Sequence, residues 1–489
     1  MKPRGHQKAK KTTINVVSLF SGAMGLDLGL EKAGLRLAVA VECDPIAVAT
    51  IKANKPRLGI IAKRIENVST AEIKTAGKLK RGDHVVVVGG PSCQAFSTAG
   101  QRKSLEDPRG IMFQEFVRVV RELRPRFFIM ENVPGLLSAA VKHRTLAKRG
   151  PGNPKLKSNE ELGSAFKRVV TAFEKLNYYV AFDILNAADY GVPQARERLV
   201  LIGSRNGERI TFPTQTHDRN GKNGLPTWTT LRSAIGDLTR RKHEYRPFRR
   251  LKARRLSRIP QGGNWRDLPK RMQVRAIGGA YKSWGGRTGF LRRLAWDKPS
   301  PALMTTPNGN ATCLCHPTKT RPLSMTEYAR IQQFPDSWRF SGSTTQKYRQ
   351  IGNAVPVGLG RVLGAVIKKA LKEKPRRAAR GKVECRSAKL MLKLKKTKRT
   401  YVNPPRMRRY PKASTLSRWL KGKPRIRNKE VEAYAAVEVR RLLAKIILNT
   451  ATPSPPARFR AIKSTNSAPH TSGQAVKYTN RHPVISPHF

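Results

Sequence analysis

Cys93 sits in the Gly/Pro-rich segment GGPSCQAFSTAG, Gly89 to Gly100, directly after the apolar run Val85–Val88. A thiol there can pack, pair, ligate a metal or, as thiolate, attack an electrophile. A buried structural cysteine sits more naturally inside a strand than past its end. Four further groups could do chemistry. Phe20-Ser-Gly-Ala-Met-Gly25 joins an apolar run to a helical one. Glycines at such a junction either form a structural turn or let backbone approach a ligand, with helix N–H groups aimed at it. Glu42 ends the next apolar run, where an acid can accept hydrogen bonds from ribose hydroxyls. Glu131, in Glu-Asn-Val, follows another apolar run. A carboxyl group held away from water can keep its proton near neutral pH and donate it, although a helix cap or a solvated acid would use the same residue. Finally, Gln194-Ala-Arg196-Glu-Arg198 alternates, so Gln194, Arg196 and Arg198 would share one strand face. Salt-bridging on an edge strand would also explain that pattern.

These groups need a scaffold that brings them to one edge. From Thr13 to about Arg205 short apolar runs alternate with helical ones. Strands are expected at Ile14–Phe20, Leu37–Val41, Val85–Val88, Phe127–Met130, Tyr179–Leu185 and Leu199–Ile202, and helices at Leu26–Ala33, Asp44–Asn54, Phe113–Leu123 and Gly163–Lys175. That rhythm predicts an α/β fold, a doubly wound and mostly parallel sheet whose ligands gather outside the strand C-termini. Ala140–Asn159 reads as an exposed loop. Beyond Arg205 the rhythm fails, and residues 206–320 read as a second, smaller and irregular domain. It holds the basic cluster Arg240–Arg258 and Trp228, Trp265 and Trp284, two of which are expected to pack in a core. Cys313-Leu-Cys315-His316 lacks a second ligand pair, so no metal site is expected. Helical pattern returns at Ser324–Gln333 and Val357–Lys372, giving a block over 321–371. From Lys368 to Arg399 there are fifteen Lys/Arg against two acids. The basic tail, 372–489, is expected to be largely disordered apart from an amphipathic helix at Asn428–Leu448.

Composition narrows the function. The 489 residues carry 98 Lys+Arg against 31 Asp+Glu, a net charge of +67, and so basic a chain calls for a polyanionic partner, nucleic acid first. Five scattered cysteines argue for a reducing compartment and against a disulfide scaffold. Neither a signal-peptide pattern nor an apolar run long enough for a membrane span is present, so a cytoplasmic location is expected.

In combination these motifs resemble the bacterial DNA (cytosine-5)-methyltransferases. FSGAMG, GGPSCQAFS, MENVPGLLS, QARERLVLIG, RPLSMTEYARIQQFPD and QIGNAVPVGLG stand in family order across residues 13–371, with the tail outside the resemblance. The resemblance implies a Rossmann-like catalytic domain (13–205), a target-recognition domain (206–320) and a final helix that returns to the catalytic domain. It implies transfer of a methyl group from S-adenosylmethionine to a cytosine flipped out of duplex DNA. Cys93 would attack C6, Glu131 would hydrogen-bond and protonate N3, and Arg198, helped by Arg196, would stabilise O2. Phe20, Gly22, Gly25, Glu42, Pro91, Met112 and Asn353 would hold the cofactor. The protein would work as a monomer, as a solitary enzyme or beside a separate cognate restriction endonuclease. Three positions depart from the pattern. Ser92 stands where proline is usual, Met24 stands where glycine is commonest and would narrow the cofactor pocket, and Arg64-Ile-Glu66 replaces Asp-Ile. The alternatives are a tRNA substrate and an inactive basic DNA-binding protein on the same scaffold.

Overall fold

Branched apolar runs become strands here because both faces of the sheet they form are covered. The computed structural model describes residues 13–91, 111–144, 149, 153–240, 243–282 and 288–385. The first half alternates β1 (Ile14–Leu19), α1 (Gly25–Lys32), β2 (Arg36–Val41), α2 (Pro45–Asn54), β3 (Gly59–Ile61), α3 (Thr70–Ala76), β4 (His84–Gly89), α4 (Ile111–Leu123), β5 (Phe127–Asn132), α5 (Ser164–Lys175) and β6 (Tyr179–Asn186). After the two-residue β7 (Gln194–Ala195), β8 (Glu197–Ser204) closes that half. The expected strands and helices are all present; β3 and α3 are additions.

The main sheet has the order β10-β6-β8-β5-β4-β1-β2-β3 among the described residues. Its pairings are parallel except for β8, which runs antiparallel to both β5 and β6. Side chains alternate through it as strand geometry requires. Val86, Val88, Phe127, Ile129, Val200 and Ile202 enter the core under α1, whereas Val87, Phe128, Met130, Leu199 and Leu201 enter the one under α4 and α5. The result is a three-layer α/β/α sandwich, the doubly wound architecture read from the sequence.

Three short helices come next, α6 (Leu231–Ile235), α7 (Arg250–Leu256) and α8 (Lys270–Ile277), and then the two-residue β9 (Ser300–Pro301), which pairs with β7. A small separate core holds Phe248, Leu256, Ile259, Trp265, Leu268, Ile277, Leu291, Cys313 and Cys315. By contrast Ile210, Leu231, Ile235, Trp296 and Leu303 pack into the catalytic core. The self-contained part of the second domain is therefore narrower than 206–320. Trp265 is buried in the small core, Trp228 is half-buried with its indole donating to Asp189 (2.9 Å), and Trp284 lies outside the described residues.

The chain then forms α9 (Met325–Ile331), α10 (Thr344–Asn353) and α11 (Val357–Leu371). Helix α11 returns to the catalytic domain and packs on α1 so closely that a methyl group at Gly25 or Gly29 would collide with the carbonyls of Val355 or Val357. One boundary differs from expectation. Val383–Cys385, in the stretch assigned to the tail, forms β10 and pairs in parallel with β6 as the sheet's outer strand. Its hydrogen bonds and the packing of Val383 and Cys385 on the α4/α5 core outweigh the surrounding basic composition. The amphipathic stretch 428–448 lies outside the described residues, and no helix among those described is long and apolar enough to cross a membrane.

Candidate active site

Parallel strands β1, β2, β4 and β5 all end at one edge, and the turn between β1 and α1 opens there. Phe20, Gly22 and Met24 adopt left-handed backbone (φ 56°, 53° and 68°), which is costly for the two non-glycine residues and characteristic of sites held for a purpose. A side chain at Gly22 would meet nothing within 4 Å, so this turn borders open space. Met24 does not narrow that space as its sequence position suggested: it is fully buried in the core beneath α1. Glu42, at the end of β2, is held by three backbone donors. Cys43 and Asp44 amides donate to Oε1 (2.9 and 2.8 Å) and the Gly22 amide donates to Oε2 (2.8 Å). Two lone pairs of Oε1 are thus spent, and Oε2 keeps one acceptor site for a hydroxyl.

The residues present fit S-adenosylmethionine. An open glycine turn beside a carboxylate immobilised by backbone N–H groups is the donor and acceptor set that a ribose-bearing ligand needs. Pro91 is buried at the end of β4, Met112 is half-buried on α4, and Asn353 is exposed at the end of α10. Asn353 lies two residues before Val355, whose carbonyl abuts Gly25, so a segment distant in sequence does reach the glycine turn. Arg64 and Glu66 pair with each other at the surface (2.8 Å).

At the end of β5 the antiparallel register makes the chemistry. Glu131 lies opposite Val200, and Arg198, two residues earlier on β8, projects to the same face as its diagonal neighbour. The Arg198 guanidinium contacts Glu131 Oε1 at 2.6 Å, with both side chains largely buried. Asn132, on the opposite face, donates to the Pro91 carbonyl (3.2 Å) and so ties β5 to the last described residue of the cysteine segment. Cys93 and Ser92 lie outside the described residues.

Arg196 is placed differently from its expectation. The chain switches from the two-stranded β7–β9 sheet to the main sheet at this residue, so alternation does not carry through from Gln194 to Arg198. Buried Arg196 donates instead to the carbonyls of Leu303 (2.8 Å) and Gly352 (2.9 Å). Gln194 donates to Gln332 (2.9 Å) and accepts from the Leu303 amide (2.9 Å), while Gln332 donates to the Ile351 carbonyl (2.6 Å). This buried hub fixes residues 351–354, and with them Asn353. Gln332 and Asn132 were absent from the sequence-derived candidates, and Gln194 was read only as a face-mate of Arg196 and Arg198, since an amide in a helix or strand carries no local signal of a distant backbone partner.

Burial also shifts the proton affinities of Asp27 and His316. Asp27, fully buried in the first turn of α1, has its carboxyl pushed up to about 7 by burial, partly offset by a hydrogen bond from Ser18. His316 is buried and pulled down to about 4 by desolvation, against the attraction of Glu327. Cys313 and Cys315 are buried in the small core, and no group of three metal-ligating side chains occurs among the described residues.

Comparison with known proteins agrees with this geometry. A family profile described as C-5 cytosine-specific DNA methylase matches residues 14–369. Type II methyltransferase M.PspPI of Psychrobacter sp. is 36% identical over 373 residues, 74% of this chain and 80% of that protein. Type II methyltransferase M.Eco47II of Escherichia coli is 36% identical over 364 residues, 73% of this chain and 79% of that one. Among solved structures, a DNA modification methyltransferase encoded within an E. coli prophage superposes with a TM-score of 0.51 at 23% identity, covering 74% of this chain and 100% of that one, a likeness of fold. With a profile match spanning most of the chain and relatives of this identity, the protein belongs to the C-5 cytosine-specific DNA methylase family.

Proposed function

We propose that this methylase acts on a cytosine flipped out of a specific duplex DNA sequence, through a covalent bond between Cys93 and C6 of the base. The observation that carries the reading is the 2.6 Å pair of Glu131 and Arg198 at the strand edge where β4 also ends. On cytosine, N3 and O2 are acceptors on neighbouring ring atoms, so two side chains in contact can serve both. Glu131 hydrogen-bonds N3 and delivers a proton to it; Arg198 holds O2. Both withdraw electron density from the ring, which makes C6 electrophilic to the Cys93 thiolate. Addition forms the S–C6 bond and leaves nucleophilic character at C5. Arg196 is a positioning residue in this scheme, keeping 351–354 and Leu303 in place. Once C5 has gained its methyl group, loss of the C5 proton to a base re-forms the C5–C6 double bond and expels the thiolate, and N3 returns its proton to Glu131.

When bound, S-adenosylmethionine supplies the electrophilic methyl group that C5 takes up. Glu42 would accept from its ribose hydroxyls, the Phe20–Gly25 turn would lie along it, and Pro91, Met112 and Asn353 would close the pocket. The type II names of the relatives support a role as the modification half of a restriction–modification system; in this proposal the protein acts as a monomer and its cognate endonuclease is a separate chain. Incubation of the full chain with S-adenosylmethionine and unmethylated genomic duplex, followed by 5-methylcytosine sequencing, tests the reading. Methylation confined to one short sequence is expected. Methylation of a tRNA pool with none on DNA, or no methylation of either, would overturn it.

A further inference from the structure

Large apolar side chains are exposed in two places among the described residues. Leu251, Val274 and Tyr281 stand on or just after α7 and α8, whereas Met304, 38% exposed, follows β9. The Met304 side chain is open although the backbone around it is pinned. The Leu303 amide donates to Gln194 (2.9 Å) and its carbonyl accepts from Arg196 (2.8 Å). A methyl group at Gly352 would lie 2.5 Å from the Met304 carbonyl oxygen and 2.9 Å from the Thr305 nitrogen, so α10 and this segment touch backbone to backbone. Arg196 also holds the Gly352 carbonyl (2.9 Å), and it stands two residues before Arg198, the partner of Glu131. Met304 is thereby fastened to the strand connection that carries the catalytic pair.

The course of the segment is the second observation. Leu303 packs in the core under α1, whereas the carbonyls of Asn308 and Gly309 accept from Lys252 of α7 (2.8 and 2.7 Å). Residues 303–309 therefore cross from the catalytic core to the small domain, with Met304 at the catalytic end of the crossing. On and around α7, Arg249, Arg250, Arg254 and Arg258 are exposed. A duplex with its target at Glu131 and Arg198 and its phosphates on these arginines passes along the crossing segment. A thioether chain gains nothing from water and gains from covering apolar surface. The apolar surface a duplex offers is the face of its base pairs, and it opens where one base leaves the stack.

We propose that Met304 is a wedge: it covers the base-pair face laid open when the target cytosine swings out, and so holds the duplex in its unpaired form. This rests on the DNA reading above. An unbranched, polarisable side chain fits such a face without hydrogen bonds, so Met304 assists extrusion of the base rather than the choice of sequence. The pinned backbone makes the wedge effective, because a mobile segment would yield where Met304 pushes.

The test compares wild type, Met304→Ala and Met304→Leu in the full chain on two duplexes carrying the mapped target. In one the target cytosine is paired with guanine; in the other it is mispaired with adenine, which lowers the cost of extrusion. On the paired duplex Met304→Ala should lower kcat/KM at least about tenfold, the loss of one apolar wedge contact. On the mispaired duplex that penalty should shrink to about threefold or less. Met304→Leu, close in volume, should stay within about threefold of wild type on both. Thermal melting and calorimetric binding of S-adenosylmethionine without DNA should be unchanged in both variants, since an exposed side chain is altered. The set of methylated sequences should also stay the same. An equal penalty on the two duplexes, a weakened cofactor affinity without DNA, or full activity of Met304→Ala on the paired target overturns the wedge while leaving methylation intact. Absence of DNA methylation by wild type would instead refute the underlying DNA reading.

Discussion

Gly90 separates the position of the Glu131 carboxyl group from everything else that holds the fold together. Its φ lies outside the left-handed region, so alanine is compatible with its backbone. Such a change stabilises a protein by about 0.4–1 kcal/mol through the unfolded chain. A methyl group at this position would lie 2.9 Å from Glu131 Oε2, about 0.5 Å inside ordinary van der Waals contact. The atom that must yield is the tip of a flexible side chain, so the fold survives and the carboxyl group moves. A misplacement of about 1 Å at a reacting centre can cost about 100-fold. Half that shift predicts roughly a tenfold lower kcat, about 1.4 kcal/mol of barrier, with thermal stability unchanged or raised. The assay is transfer of labelled methyl from S-adenosylmethionine to target DNA at saturating concentrations of both, beside thermal melting. A double-mutant cycle with Glu131→Gln isolates the cause: in the Glu131→Gln enzyme, adding Gly90→Ala should cost little more. A Gly90→Ala enzyme within about twofold of wild type would refute the placement of this carboxyl group, as would a full tenfold loss on both backgrounds.

Other expectations rest on the same geometry. Arg196→Lys keeps the charge but loses the planar fork that reaches the Leu303 and Gly352 carbonyls. Losing one charged hydrogen bond in the buried hub predicts a drop of about 1.5–3 kcal/mol in urea unfolding, with a raised KM for S-adenosylmethionine. Glu42→Gln places an amide N–H₂ against one of the backbone donors that now fix the carboxylate. Calorimetric binding of S-adenosylmethionine without DNA should weaken at least about tenfold. For pH, the raised Asp27 carboxyl (about 7, from 3.8) means the folded state holds a proton that the unfolded state releases between those values. Its contribution therefore makes stability fall as pH rises through that window. His316, pulled to about 4 from 6.5, acts oppositely, because below 6.5 the unfolded state gains a proton the folded state resists, and stability falls as pH drops. Asp27→Asn removes the first slope only. Its unfolding free energy relative to wild type, measured in urea, should grow steadily from about pH 4 to about pH 7; a constant difference would contradict the burial of an ionisable Asp27.

Much of the scaffold was legible because strands covered on both faces are written as uninterrupted apolar runs, such as Val85–Val88 and Phe127–Met130. The short outer strands were not. Gly59–Ile61 is three residues long, and Val383–Cys385 is embedded in lysine and arginine, so each depends on tertiary pairing that leaves no local period. Glu42, Glu131 and the Phe20–Gly25 turn could be placed at one edge because each directly follows a strand core. Arg196 could not, since alternation assumes one continuous strand and the chain changes sheets there. Met24 misled for a related reason: its side chain points into the core from a left-handed residue, while only its backbone belongs to the turn. The hub of Gln194, Gln332 and Arg196 joins segments more than a hundred residues apart, a pairing no single stretch of sequence records.

The covalent step at Cys93 is the claim on which the account stands, and trapping measures it directly. Purified protein is incubated with S-adenosylmethionine and a mixed-sequence DNA pool containing 5-fluorocytosine, whose C5 fluorine cannot leave as a proton does, and resolved on a denaturing gel. A protein–DNA adduct is predicted for wild type and none for Cys93→Ser, with the trapped DNA sharing one target sequence. An adduct that persists in Cys93→Ser, or no adduct from wild-type protein that binds the same DNA tightly, would contradict the account.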